Sequence, residues 1–306
     1  MSIYVFGDLL KRLRKQRHIS QSDMCRGLCN VAMASRIERD ERVPSRKLIE
    51  ALFSRLGEVP PYSKIPVTKA DFIMRNLEYD IISSVANGNY EIKMLLDAYK
   101  TRKNTMTPLE QQFYEFYYAI YIDRDDAHNE EALDLLVNAL RISIPDFECY
   151  SFPSQRLLTR IEIGLLNTIA YTLYYGFKKS ATAISLLQDT IDFLEHSLLN
   201  KKEMAVNYQL IAYNLANWLE DKGSLAQSLA LSSRAAALCA QYGRLMYFPH
   251  NLFVKGVCLA RLDKRAEAEQ SLATAISIFN AKNQHTNAQI IAKAVNAQFD
   301  FSFPVE

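Results

Sequence analysis

Apolar residues recur at three- and four-residue intervals from the start of the chain. Val5/Phe6, Leu9/Leu10 and Leu13 fall on one face of a first helix, expected over roughly Ile3 to Arg17. Ile19, Met24 and Leu28 form the face of a second, and Ile37 that of a third. Ser20 is an N-cap residue by type, and Asp23 answers it as a shortened capping box. A fourth helix begins at Ser45 after Pro44, with Leu48, Ile49, Leu52 and Leu56 inward and Gly57 as its stop. The third helix is slim at its start, with Ala32, Ala34 and Ser35, and carries the long donor Arg36 one turn later. A helix that must enter a DNA groove has this shape.

From residue 67 onward the pattern is helical almost throughout, and it repeats. Turn signals stand at Asn87–Glu91, Ala127–Ala132, Lys178–Ala183, Gly223–Ser228 and Asp263–Ala268. Counted from Gly88, Ala127, Lys178, Gly223 and Asp263, the turn-to-turn spacings are 39, 51, 45 and 40. Small residues recur seven apart at 132/139, 228/235 and 268/275, where two antiparallel helices would approach closely. The longest spacing holds Ile144-Pro145-Asp146 and Ser151-Phe152-Pro153, a longer connection. Gln284 to Phe299 reads as a terminal capping helix. The expected organisation is a domain over 1–57, a Pro-rich linker over 58–66, and a helical-repeat domain over 67–306.

Charge sharpens this division. Residues 1–65 hold thirteen Lys/Arg against seven Asp/Glu, a net +6, whereas the remainder holds 23 against 27, a net −4. A basic face alone is ordinary solvated surface, but its coincidence with the slim helix points to phosphates. With 49% hydrophobic residues, nine Gly and nine Pro, the chain has the composition of a packed helical protein. No run of eighteen apolar residues occurs, and early basic residues interrupt any signal-peptide core, so a cytoplasmic location is expected. The five Cys form no C-x-x-C and read as reduced, mostly buried thiols, although Cys25 and Cys29 lie four apart on a helix. The five His are scattered, and no nucleophile, phosphate-loop or metal motif appears. Asp123-Arg124-Asp125-Asp126 lacks the spacing of a calcium loop and reads as solvated surface. Neither an enzyme nor a cofactor is expected.

Residues 6–56 resemble the Xre/Cro-type helix-turn-helix. The residues that carry the likeness are Gly7, Leu10, Leu13-Arg14, Ile19-Ser20-Gln21, Met24, Leu28, Ser35-Arg36-Ile37-Glu38 and Pro44. Asp40 stands where such proteins usually carry Gly, so a left-handed turn there falls to Asp. Together with the TPR-like repeats, the chain resembles the PlcR/Rgg-type peptide-sensing regulators, the RRNPP group. The resemblance implies an all-α fold: an N-terminal helix-turn-helix followed by a TPR-like right-handed α-solenoid that dimerises and binds a short peptide in its concave groove. It implies a structural ion pair between Arg14 and Glu38. Gln21 is expected near a phosphate or base, Val31, Ala32 and Arg36 in the major groove, and Arg39, Arg42 and Lys47 on the backbone of a double-stranded operator.

The first helices of the repeats carry the candidate peptide contacts. These are Asn167 and Tyr171, with Tyr175 nearby, then Asn207, Tyr213, Asn214 and Asn217, then Asn251 and Phe253, beside His250. Asn offers a donor and an acceptor together, so it can clamp a peptide main chain whatever its sequence. Tyr and Phe supply apolar selectivity. The alternative is that these side chains merely pack between helices. Two other readings stay open: a TPR-like scaffold for a protein partner, and a DNA regulator that takes no peptide.

Overall fold

The computed structural model describes residues 6–59, 69–86, 88–89, 92–101, 106–123, 128–153, 157–197 and 200–305. Among these residues every regular element is an α-helix, and there is no strand. The N-terminal four are α1 (Phe6–Gln16), α2 (Gln21–Cys25), α3 (Val31–Glu38) and α4 (Arg46–Arg55). Then come α5 (Lys69–Ala86), α6 (Lys93–Lys100), α7 (Pro108–Ile122), α8 (Asn129–Arg141) and α9 (Arg160–Tyr175). The last six are α10 (Ser180–His196), α11 (Lys201–Asp221), α12 (Leu225–Tyr242), α13 (Phe248–Arg261), α14 (Arg265–Ala281) and α15 (His285–Phe299). Residues 60–66 of the expected linker, the start of the first helix before Phe6, and Arg124–Asp126 lie outside the described residues.

The caps follow from residue type. Ser20, Asn30 and Ser45 each accept, through a side-chain oxygen, the backbone N–H three residues on, at 3.0, 2.8 and 3.4 Å. These bonds satisfy donors that a helix start leaves orphaned. Thr107/Glu110 and Thr159/Glu162 form full capping boxes at α7 and α9. Gly57 adopts φ +68°, and the Glu58 N–H returns to Phe53 O at 3.0 Å to close α4. Asp40 takes φ +56°, the left-handed turn expected of it. Its Oδ1 also accepts the Gly7 N–H at 3.1 Å, which a glycine there would leave bare. A Cβ on Gly7 would stand 2.2 Å from Ile37 O, so only glycine allows α1 to approach α3 this closely.

The four short helices enclose a core of Phe6, Leu10, Met24, Ile37, Leu52 and Phe53, each no more than 5% exposed. Further along, α5 packs on α6, α7 on α8, α11 on α12, and α13 on α14, with α15 closing the array. The small residues at 132/139, 228/235 and 268/275 are all fully buried. Ser228 Oγ donates to Ala216 O at 2.6 Å across the α11–α12 contact, so the hydroxyl there is partnered. The turns share a left-handed residue: Lys178, Gly223, Asp263 and Asn283 have φ between +56° and +78°. After α15 the chain continues through Phe301, Phe303 and Val305, which pack on the last helices. Asn296 holds this tail, donating to Phe303 O at 2.8 Å and accepting from its N–H at 2.9 Å.

Two compact units result. One holds residues 1–190 and 196–200; the other holds 191–195 and 201–306. The four N-terminal helices belong to the first unit together with α5 to α9.

Candidate nucleic-acid interface and peptide face

The pair Arg14–Glu38 is the internal brace of the N-terminal helices. Arg14 Nε and Nη2 donate to the two Glu38 carboxylate oxygens at 2.5 and 2.9 Å, a bidentate arrangement. Arg14 Nη1 donates to Ile19 O at 2.8 Å, and so also holds the loop into α2. Burial pushes the Glu38 carboxyl up. The hydrogen bonds from Arg14 and Gln21 outweigh this and hold it below the usual carboxylate range. Gln21 Nε2 donates to Glu38 Oε2 at 2.6 Å, so its amide nitrogen orients the pair.

With α3 braced from behind, its other side is open. Val31, Ala32 and Arg36 are exposed and adjacent on one face. Asn30, the cap of α3, is exposed beside them. The sequence reading passed over it, although an Asn before a slim helix is the signal for one. Arg39 and Arg42 are exposed; Arg39 pairs with Glu41 through Nε at 2.8 Å.

Lys47 corrects the expectation of a phosphate contact. It is buried, with Nζ 3.0 Å from Glu78 Oε1 and 4.2 Å from the centre of the Phe113 ring. Glu78 gathers three donors on that oxygen: Arg46 Nη2 at 2.8 Å, Lys47 Nζ, and the Tyr99 hydroxyl at 3.0 Å. Burial raises the Glu78 carboxyl, yet the charge of Lys47 and the bond from Arg46 bring it below its ordinary range. Basic residues early in α4 therefore serve the attachment of α4 to α5 and α6. A second buried pair, Arg55 Nη2 to Glu162 Oε1 at 2.7 Å, joins the end of α4 to the start of α9. Between them, a Cβ on Gly27 (φ +72°) would lie 1.8 Å from Ser143 O, so the turn before α3 touches the end of α8. None of these attachments uses the open face of α3.

The repeats place the peptide candidates unevenly. On α11, Asn207, Leu210, Tyr213 and Asn217 recur at three- and four-residue steps, and all are half-buried. Asn214, on the same helix, is buried, as is Asn167 on α9. Asn251 is fully buried and corrects the expectation of an open clamp. Its Nδ2 donates to Gln209 O and Tyr247 O, both at 2.8 Å, so it binds this chain's own backbone. Phe253 packs among the apolar clusters of α13 to α15. Tyr213 stacks on Tyr247 at 6.2 Å and meets the His250 ring edge-on at 5.1 Å. Burial lowers His250 to about 4, with the nearby Lys282 charge adding to the effect. Tyr171 is exposed on α9, its ring centroid 4.6 Å from that of Tyr175.

All five thiols are free. Burial raises Cys25 and pushes Cys29 up to about 11, so neither is a thiolate at neutral pH. Among the described residues no cluster of His, Cys, Asp and Glu is arranged to hold a metal, and no helix is long and apolar enough to cross a membrane.

Residues 10–62 match the helix-turn-helix family model. The chain is thus a helix-turn-helix segment continued by helical repeats. The whole shares its fold with Bacillus thuringiensis PlcR, solved in complex with the peptide PapR7 and DNA. That structure has a TM-score of 0.61 at 18% identity, over 94% of this chain and 98% of that one. The apo form of the same PlcR gives 0.57 at 17% identity, covering 94% and 97%. ComR from S. thermophilus, in complex with DNA and its signalling peptide ComS, gives 0.53 at 15% identity, covering 96% and 99%. No curated protein matches the chain in sequence.

Proposed function

We propose that the chain is a cytoplasmic, sequence-specific DNA-binding transcription regulator controlled by a short peptide, and that it acts as a homodimer. The observation that carries this reading is the open face of α3. Val31, Ala32 and Arg36 stand free of the buried ion pairs that brace and attach the N-terminal helices. Arg36 reads a base, bidentate to guanine where the sequence allows, while Val31 and Ala32 lie flat against the groove. Arg39 and Arg42 hold phosphates, as does the positive end of α3 beyond Asn30. Gln21 acts through Glu38.

The peptide sits against α11 in this account. Asn207 and Asn217 supply donors and acceptors for its main chain, and Leu210 and Tyr213 with Tyr247 supply an apolar wall. Support comes from the half-buried state of that row and from a fold shared with two regulators solved with peptide and DNA bound. Calorimetry of the full chain with a library of short apolar peptides tests this assignment. Asn217→Ala should weaken the best binder by about tenfold, near 1.4 kcal/mol. Equal affinity in Asn207→Ala and Asn217→Ala would move the groove elsewhere. A chain that binds no peptide but shifts a specific duplex would be a regulator of the second kind named above.

A further inference from the structure

Residues 301–305 lie on the last three helices as a bound peptide would. Asp300 takes φ +53°, and this left-handed turn ends α15. Arg265, at the start of α14, fixes the turn. Its Nη1 donates to Phe299 O at 3.2 Å and its Nη2 to Asp300 O at 2.6 Å. Its guanidinium also lies 4.8 Å from the centre of the Phe301 ring. Beyond the turn, burial alternates. Phe301 is buried, Phe303 and Val305 are half-buried, and Ser302 and Pro304 between them are exposed. A period of two is that of an extended chain with one side against a surface. Phe301 packs with Val257, Leu272 and Val295, and Phe303 and Val305 pack with Phe279 and Ala292. Phe253 of α13 borders both groups. Asn296 holds the main chain between them. Its Nδ2 donates to Phe303 O at 2.8 Å, and its Oδ1 accepts the Phe303 N–H at 2.9 Å. One amide thus satisfies both backbone groups of a residue and reads nothing of its side chain.

We infer that α13, α14 and α15 form a seat for a short extended peptide with apolar side chains at alternate positions, and that residues 301–305 are its exchangeable occupant. The occupant defines the class of peptide that fits. Two or three apolar side chains two residues apart enter the surface, and the residues between them face water and are unrestricted. Pro304 suits such a position: its fixed φ favours extended chain, and it brings no N–H that would need a partner. The hold on residues 302–305 is light. It consists of one amide clamp and two half-buried side chains, and a segment held this way opens at low free energy. Its tether nevertheless keeps it near the seat at an effective concentration on the order of millimolar. A second peptide therefore binds with an affinity reduced by the fraction of seats left empty. The seat does not depend on the α11 assignment, because other helices build it. Phe253, expected from the sequence as a peptide contact, belongs to this seat.

Fluorescence anisotropy of a dye-labelled Phe-Ser-Phe-Pro-Val peptide, its carboxyl end amidated, tests the seat on the full chain. Phe301→Ala/Phe303→Ala loosens the occupant and should tighten probe binding about tenfold or more over wild type. Phe303→Ala/Val305→Ala, which changes only half-buried side chains, should move the affinity in the same direction and decides the matter where the first variant unfolds. Adding Asn296→Ala to either should weaken the probe by about tenfold, since backbone groups of the probe lose their partner. Asn217→Ala should leave probe binding unchanged, which separates this seat from the face of α11. Equal probe binding by wild type and the loosened variants, indifference to Asn296→Ala, or loss of the probe in Asn217→Ala would overturn the inference. Failure of the α11 assignment reads differently: library peptides would bind Asn207→Ala and Asn217→Ala as they bind wild type, with the probe result unaltered.

Discussion

At the scale of single residues, the DNA face proposed for α3 depends on which basic side chains are free. Arg36 is exposed on α3, whereas Arg14, Arg46, Lys47 and Arg55 are consumed by buried carboxylates. Counting Lys and Arg therefore overstates the interface. Lys47 follows Pro44 and Ser45 like a phosphate contact, and its sequence neighbourhood holds no sign of Glu78, thirty-one residues away. Arg36→Ala should cost about 1–3 kcal/mol of discrimination at one base position while leaving non-specific binding intact. Selected duplexes compared between the two proteins show this; an equal loss on all sequences would make Arg36 a phosphate contact. Glu78→Ala should act on folding instead. It strands Arg46 and Lys47 in a buried setting, at a cost of about 3–5 kcal/mol. Denaturant unfolding measures the loss, and a stability within error of wild type would remove the attachment role of Glu78.

The elements carry the pH dependence. Glu38 and Glu78 lie below their ordinary range, through Arg14 and Gln21 in one case and Lys47 and Arg46 in the other. A carboxylate depressed in the folded state stabilises above its unfolded value, near 4.3, and loses that contribution as pH falls through the folded value. The braces of α1–α3 and α4–α5 should therefore fail together under acid, below about pH 4. His250 on α13 behaves differently. Its imidazole is neutral down to about 4, against an ordinary value of 6.5, because burial and Lys282 disfavour the cation. As pH falls between those values the unfolded chain takes up a proton that the folded chain refuses, so stability declines. His250→Phe, packed against Tyr213, Tyr247 and Phe279, should flatten that decline. Melting curves at neutral pH and near pH 5 test it; an unchanged slope would mean that His250 is reached by water.

The elements also mark how far the sequence can be read. Caps at Ser20 and Ser45, the stop at Gly57 and the small residues at 132/139, 228/235 and 268/275 follow from local chemistry and period, the turn at Asp40 from the family resemblance, and the structure has each of them. The tail through Phe301, Phe303 and Val305 escaped because an extended segment of five residues has no helical period; its partner is the Asn296 side chain. The amides of the repeats were legible as a group but not one by one. Asn251 and Asn217 look alike in sequence, yet one is buried against the Gln209 carbonyl and the other is half-buried on α11. That difference depends on which helix packs opposite, a property of the assembled repeats.

For the whole molecule, buried charge joins the N-terminal helices to α5, α6 and α9 while one face of α3 stays open. The first compact unit contains the helix-turn-helix, α5 to α9 and most of α10, and the Glu78 and Glu162 pairs tie α4 to α5 and α9 within it. A signal that changed these contacts would reach α3 through its attachment. The central claim is that the full chain recognises a particular duplex through α3. The most direct measurement is selection from a randomised duplex library by the full-length protein, followed by salt titration of the enriched sequence. The account predicts two inverted half-sites about one helical turn apart, affinity that falls steeply with salt, and loss of the sequence preference in Arg36→Ala. Enrichment of no sequence, or an enriched sequence bound equally well by Arg36→Ala, would contradict it.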